Sequence, residues 1–120
     1  MTDRRFPRQV YREGSEPDPR FTLANERTFL AWVRTSLALV AGAIALEALQ
    51  VPGHSGLRTS AVVLLLVLGF ALPPAAWVGW ARNERAMRRG DPLPASLPTL
   101  FLVVGIPAVA VLALLGSVLS

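Results

Sequence analysis

The chain has 120 residues, 52% of them apolar, with a formal net charge of +4 and no cysteine. The length bounds it to one domain, and the missing cysteines exclude disulfides and thiol chemistry. Every basic residue apart from His54 is arginine, and the arginines crowd beside apolar blocks, where they carry topology information, so no nucleic-acid partner is expected.

Residues 1 to about 19 hold charges, three prolines and few apolar residues, which reads as a flexible cytoplasmic arm. Arg4-Arg5 resembles a twin-arginine start. The apolar segment begins more than twenty residues later and is too long for a signal h-region, so the first helix is expected to stay as an uncleaved anchor.

Three apolar blocks follow, at about 29–51, 61–80 and 97–119. Each approaches the ~20 residues that cross ~30 Å of hydrocarbon. A soluble helical core would leave too little polar surface to cover them. The expected fold is an all-α membrane protein whose domain, residues 20–120, carries three transmembrane helices at about 22–50, 59–89 and 96–119. Asp18-Pro19 marks a break and Thr22 a helix N-cap.

The first link, 50–56, is a short turn-forming loop with only Arg58 at its far edge. The second span ends in Trp77 and Trp80, which fit an interfacial aromatic belt. A helical extension with Arg82, Arg85, Arg88 and Arg89 comes next, stopped by Gly90 and Asp91-Pro92. Arginines before and within the first helix and after the second lie on one side. The positive-inside rule puts the N-terminus in the cytoplasm and the C-terminus outside. Pro73-Pro74 and Pro107 fall inside spans and predict kinks.

Arg20, Arg27 and Arg34 are spaced seven residues apart, close to two helical turns, so they share a face. The same stripe holds Ala31, Ala38, Ala41 and Ala45. The opposite face carries Phe29, Val33, Ser36, Val40 and Glu47. Small stripes admit a neighbouring helix or leave room for a lumen. The stripe therefore argues for a homo-oligomer with first helices around an axis, these alanines lining it. Arg34 is the costly residue: at the lipid face near the bilayer centre its charge costs ~2.5–3.5 kcal/mol. Converging guanidiniums suit phosphate oxygens, and Arg82, Arg85 and Arg89 extend the same basic vestibule. Glu26 is a charge partner for an arginine of its own or a neighbouring subunit. Glu47 is interfacial, and His54, alone in an outer loop, is solvated. Asn83-Glu84-Arg85 echoes Asn25-Glu26-Arg27, too short a repeat to mean duplication. There is no Gly-rich phosphate loop, zinc spacing or triad, so neither enzyme activity, cofactor nor metal is expected.

The run Leu23-Ala-Asn-Glu-Arg-Thr-Phe-Leu-Ala-Trp-Val-Arg-Thr-Ser-Leu-Ala-Leu39 resembles the signature of the YidH-type bacterial inner-membrane family, a domain of unknown function (202). That domain is also similar to the membrane part of the eukaryotic vacuolar transporter chaperone, a polyphosphate polymerase and translocase. The resemblance implies a multi-pass inner-membrane protein and a pentamer of three-helix subunits whose first helices line a polyphosphate conduit. It carries roles onto Arg20, Glu26, Arg27 and Arg82. Arg34 departs from the eukaryotic pattern, which has an uncharged residue there, and is typical of the bacterial branch. Without a polymerase or phosphate-sensing domain, this chain is not expected to make polyphosphate alone. The functional expectation is a homo-oligomer with an arginine-lined cytoplasmic vestibule that binds or conducts phosphate-rich anions such as polyphosphate. The alternative is a non-catalytic scaffold or accessory subunit whose arginines set topology and contact anionic lipid.

Overall fold

A computed structural model of the chain describes residues 7–11 and 14–119, so Arg4-Arg5 lies outside the described residues. The elements are a short helix α1 (Arg8–Tyr11) and three long ones, α2 (Pro19–Leu49), α3 (Ser55–Arg89) and α4 (Leu97–Val118). All three long helices are long and apolar enough to cross a membrane. At 1.5 Å per residue they run ~46, ~52 and ~33 Å, so α4 matches the hydrocarbon core while α2 and α3 overrun it.

The helix ends follow local chemistry. Asp18, not Thr22, caps α2: its carboxylate accepts from the Arg20 amide at 2.9 Å, with Pro19 in the first turn. His54 starts α3 four residues before the expected position, its Nδ1 accepting from the Leu57 amide at 3.2 Å. Gly90 ends α3 in the left-handed region (φ 73°), as its sequence position predicts, and its N–H returns to the carbonyls of Ala86 and Met87. Ser96 caps α4 through the Thr99 amide.

α3 is the central element, packing against α2 on one side and α4 on another. Leu39 and Ala43 of α2 meet Leu65, Leu68 and Leu72 of α3, with Leu102 and Val109 of α4 against them. Lipid is as apolar as these side chains, so close packing and polar bonds must hold the helices together.

One such bond is built by three residues. Pro73 lacks the N–H that would return to the carbonyl four residues earlier, which is Gly69. The Ser36 hydroxyl donates to that Gly69 carbonyl from across the interface. Gly69 itself permits the approach, because a Cβ there would lie 2.7 Å from Val40 Cγ2. The face containing Ser36 and Val40, opposite the arginine stripe, is therefore the contact with α3 and not a lipid face. Gly105 plays the matching part for α4, where a Cβ would meet Leu68 Cδ1 at 2.6 Å.

Where the structure describes the arm, it lies against α3. Val10 is fully buried, and the rings of Tyr11 and Trp80 are 6.2 Å apart. Trp80 is buried there, under Tyr11 and stacked on Trp77, so it serves packing more than a membrane belt.

Ser36→Ala should destabilise the chain by about 0.5–1.5 kcal/mol, the range of interhelical hydrogen bonds in membranes. Gly69→Ala should cost about 1–3 kcal/mol by overpacking. Thermal unfolding in detergent micelles measures both, and unchanged midpoints in the two variants would remove this joint from the account.

Candidate functional site

The face of α2 that meets α3 is set by Asn25, Ser36, Leu39 and Ala43, all buried. Nine residues along a helix is two and a half turns, which is the opposite side. Arg34 stands nine residues from both Asn25 and Ala43, and Ser36 stands nine from both Arg27 and Ala45. The stripe predicted from spacing is thus turned directly away from the rest of the subunit. Arg27, Ala31, Arg34, Ala38, Ala41 and Ala45 are all exposed. Neither Arg27 nor Arg34 has a hydrogen-bond or ion-pair partner among the described residues.

Arg20 differs from its two stripe neighbours. Its guanidinium folds back on the cap, with Nη2 3.0 Å from Asp18 Oδ2 and Nε 3.3 Å from Oδ1. The Arg20 side chain, and then its amide, hold the Asp18 carboxyl below its ordinary value. The sign follows directly: the contact supports the helix start above the usual aspartate range and fades as pH falls through the lowered value. Both groups are solvated, so the effect is small.

Arg82, Arg85 and Arg89 come at spacings of three and four and line one pocket of about 270 Å³ with Ala86, Asp91, Pro92 and Pro94. This pocket lies beside the α3–α4 link, whereas Arg27 and Arg34 lie across α2 from its α3 contact. Within one chain the two arginine groups are not brought together. Glu26 is exposed and makes no ion pair among the described residues. It edges a groove of about 320 Å³ with Tyr11, Phe29, Leu30, Trp77 and Trp80.

The sequence reading assigned no role to Asn25. Its Nδ2 donates to the Trp80 carbonyl at 2.9 Å, and its Oδ1 accepts from Asn83 Nδ2 at 3.2 Å. The two Asn-Glu-Arg tripeptides therefore meet, one on each helix, through their asparagines. Beside them is a cavity of about 90 Å³ walled by Thr28, Phe29, Trp32, Gly79 and Ser96 among others. A signal for this node was present: Asn25 and Ser36 are eleven residues apart, three turns, and mark one polar-studded face of α2. Arg88 was read only as topology. Its guanidinium lies buried between Glu84 and the arm residue Glu16.

At the other end Glu47 has a partner, since its Oε2 lies 3.9 Å from Arg58 Nε, and Arg58 Nη1 donates to the Pro52 carbonyl at 3.2 Å. No group of three acidic, histidine or cysteine side chains suited to a metal occurs among the described residues.

Asn25→Leu keeps the branched shape but leaves the Asn83 amide without its acceptor and the Trp80 carbonyl without its donor. It should cost about 1–3 kcal/mol, the range for stranding a buried polar group, read as a lower unfolding midpoint in detergent. Asn25→Leu combined with Asn83→Leu should recover part of the loss, and a double variant no better than the single would contradict the pairing.

Comparison with known proteins places the chain in context. The domain of unknown function DUF202 matches residues 20–86, which take in α2 and most of α3. Two uncharacterized Mycobacterium tuberculosis proteins, Rv2272 and MT2333, are each 48% identical over 103 residues, covering 82% of both chains. The inner membrane protein YidH of Escherichia coli K12 is 39% identical over 110 residues, 88% of this chain and 95% of its own. No solved structure matches. With three spanning helices and an inner-membrane relative over nearly its whole length, the chain is a multi-pass inner-membrane protein and belongs to the DUF202 family.

Proposed function

We propose that this protein is a homo-oligomer in which α2 of each subunit turns Arg27 and Arg34 toward a shared vestibule that binds or conducts phosphate-rich anions such as polyphosphate. The observation that carries the reading is the disposition of α2. Its contact with α3 uses one face, and the opposite face holds Arg27 and Arg34, without a partner among the described residues, together with alanines, all exposed.

A lone subunit would submit that face to lipid, where a guanidinium near the core is costly. A bundle of subunits would instead cover the alanines by close helix approach and leave the arginines in a wet, protein-lined space. Planar guanidiniums bind phosphate oxygens in pairs, and each added subunit multiplies the field. If the signature run at 23–39 also relates the chain to the vacuolar transporter chaperone membrane domain, polyphosphate is the candidate guest and a pentamer the candidate assembly.

The vestibule is assigned to the cytoplasmic side, with the N-terminus inside and the C-terminus outside. Arg20, Arg27, Arg34 and the four arginines from 82 to 89 mark one end of the bundle. The opposite loop offers Arg58, already tied to Glu47 and the Pro52 carbonyl. Glu26, exposed beside Arg27, is placed to pair with an arginine of a neighbouring subunit.

The double substitution Arg27→Ala and Arg34→Ala, in protein reconstituted into phosphatidylcholine liposomes, should weaken inorganic polyphosphate binding by roughly tenfold or more, about 1.4 kcal/mol. Any anion conductance in planar bilayers should fall with it. Undiminished binding and conductance would overturn the vestibule and favour a scaffold whose arginines serve topology and lipid contact. Chemical crosslinking of the same liposomes should give a ladder above the monomer, and a strictly monomeric protein would oppose the assembly.

A further inference from the structure

The N-terminal arm closes over the last turns of α3 around a single guanidinium. The Arg88 side chain is 3% exposed, although it belongs to the most polar stretch of the chain. Its Nη1 donates to the Tyr11 carbonyl at 2.9 Å and its Nη2 to Glu16 Oε2 at 2.7 Å. The guanidinium carbon sits 4.8 Å above the Tyr11 ring, a cation–π contact. Glu84, one turn earlier, is wholly buried and brings Oε2 to 3.7 Å from Arg88 Nε, with neither of its oxygens hydrogen-bonded.

The backbone is fitted as closely. The Ser15 amide donates to the Arg88 carbonyl at 3.1 Å. Gly14 just before it has φ 56°, and a Cβ there would fall 2.0 Å from that same carbonyl oxygen. Only glycine admits this approach. Val10, fully buried, completes the contact.

Glu16 is the outer member of the cluster, with its side chain 56% exposed. A carboxylate paired with a guanidinium occupies the place that a phosphate group takes in the same geometry. With the arm docked, Arg88 is shared by two carboxylates. The helix end and link carry Arg82, Arg85, Arg88 and Arg89 against two acidic residues in the sequence, Glu84 and Asp91.

We infer that the arm is a built-in competitor: Glu16 holds on Arg88 the position of a phosphate group, and release of the arm opens the end of α3 to phosphate-rich anions. The ligand class rests on the function proposed above. The coupling is thermodynamic, since an anion that binds the arm-free state better shifts the population toward it, and a docked arm lowers apparent affinity by the same linkage.

The full chain in phosphatidylcholine nanodiscs tests this with inorganic polyphosphate as the probe. Gly14→Ala dislodges the arm without changing charge, and Glu16→Gln removes the competitor. Glu47→Gln removes one exposed carboxylate at the opposite end of the bundle, outside both arginine groups, as the charge control. Because the chain has no cysteine, Ser15→Cys with Thr59→Cys gives a clean spin-label pair for the arm–α3 distance. Gly14→Ala and Glu16→Gln should each tighten polyphosphate binding by about threefold or more beyond Glu47→Gln and broaden the distance distribution. Saturating polyphosphate should broaden it in the otherwise unaltered protein.

Binding equal to the charge control, or a distribution that stays narrow at saturation, overturns the competitor. Arg27→Ala with Arg34→Ala separates the two proposals. A gain from Gly14→Ala that survives in that background supports the arm site whatever becomes of the vestibule. Binding abolished there, with the arm variants inert, leaves the vestibule and removes the arm site. No polyphosphate binding in any variant overturns both.

Discussion

The contact on which the rest of this structure depends is the bond from Ser36 to the carbonyl that Pro73 leaves free on Gly69. In water a helix hairpin can rely on the exclusion of solvent from its apolar face. In a bilayer the surroundings are as apolar as the interface, and that driving force is absent. A proline supplies the unmet acceptor, a glycine the proximity, and a serine the donor. Once this joint and the Asn25 bonds to Trp80 and Asn83 set the rotation of α2, everything on its other side is determined. Arg27 and Arg34 have no partner among the described residues of the subunit.

That separation of faces organises the chemistry. One side of α2 holds the subunit together, and the other carries Arg27, Arg34 and alanines beside the exposed Leu23, Leu30 and Leu37. The arginines at the end of α3 form a second group, near the link and the arm, with their own carboxylates around them. The stripe bears unanswered charge, while Arg88 bears charge that is answered from within the chain. The two arginine groups thus differ in their surroundings: Arg27 and Arg34 stand exposed on α2, and Arg88 is buried between Glu84 and Glu16.

Much of this was legible in the sequence because the relevant physics is local. Hydropathy blocks longer than the hydrocarbon thickness predict the three spans, and Gly90 followed by Asp91-Pro92 predicts where α3 stops. The seven-residue spacing groups Arg27 and Arg34 with alanines that are all exposed on α2, while Arg20 folds back on Asp18. The meaning of the opposite face was not legible, since Val33, Ser36 and Val40 read equally well as lipid-facing until α3 is set beside them. Arm docking was hidden for the same reason: Glu16 and Arg88 are 72 positions apart, and nothing near either residue announces the other. Asp18 as the true cap was within reach, because Pro at the first helical position already favours it over Thr22.

The fourth helix deserves a different description from the other two spans. It meets α3 through Gly105 on Leu68, and near the opposite end Gly116 rests on Pro52 while its carbonyl accepts the His54 amide at 3.3 Å. It brings no ionisable side chain, and the DUF202 match ends before it begins. Side-chain polar bonds join α2 to α3 as a hairpin, and α4 covers one flank of it. At 22 residues, about 33 Å, α4 is the span that fits the ~30 Å hydrocarbon core most nearly, and it leaves Val63, Val67 and Phe70 of α3 open on the other flank.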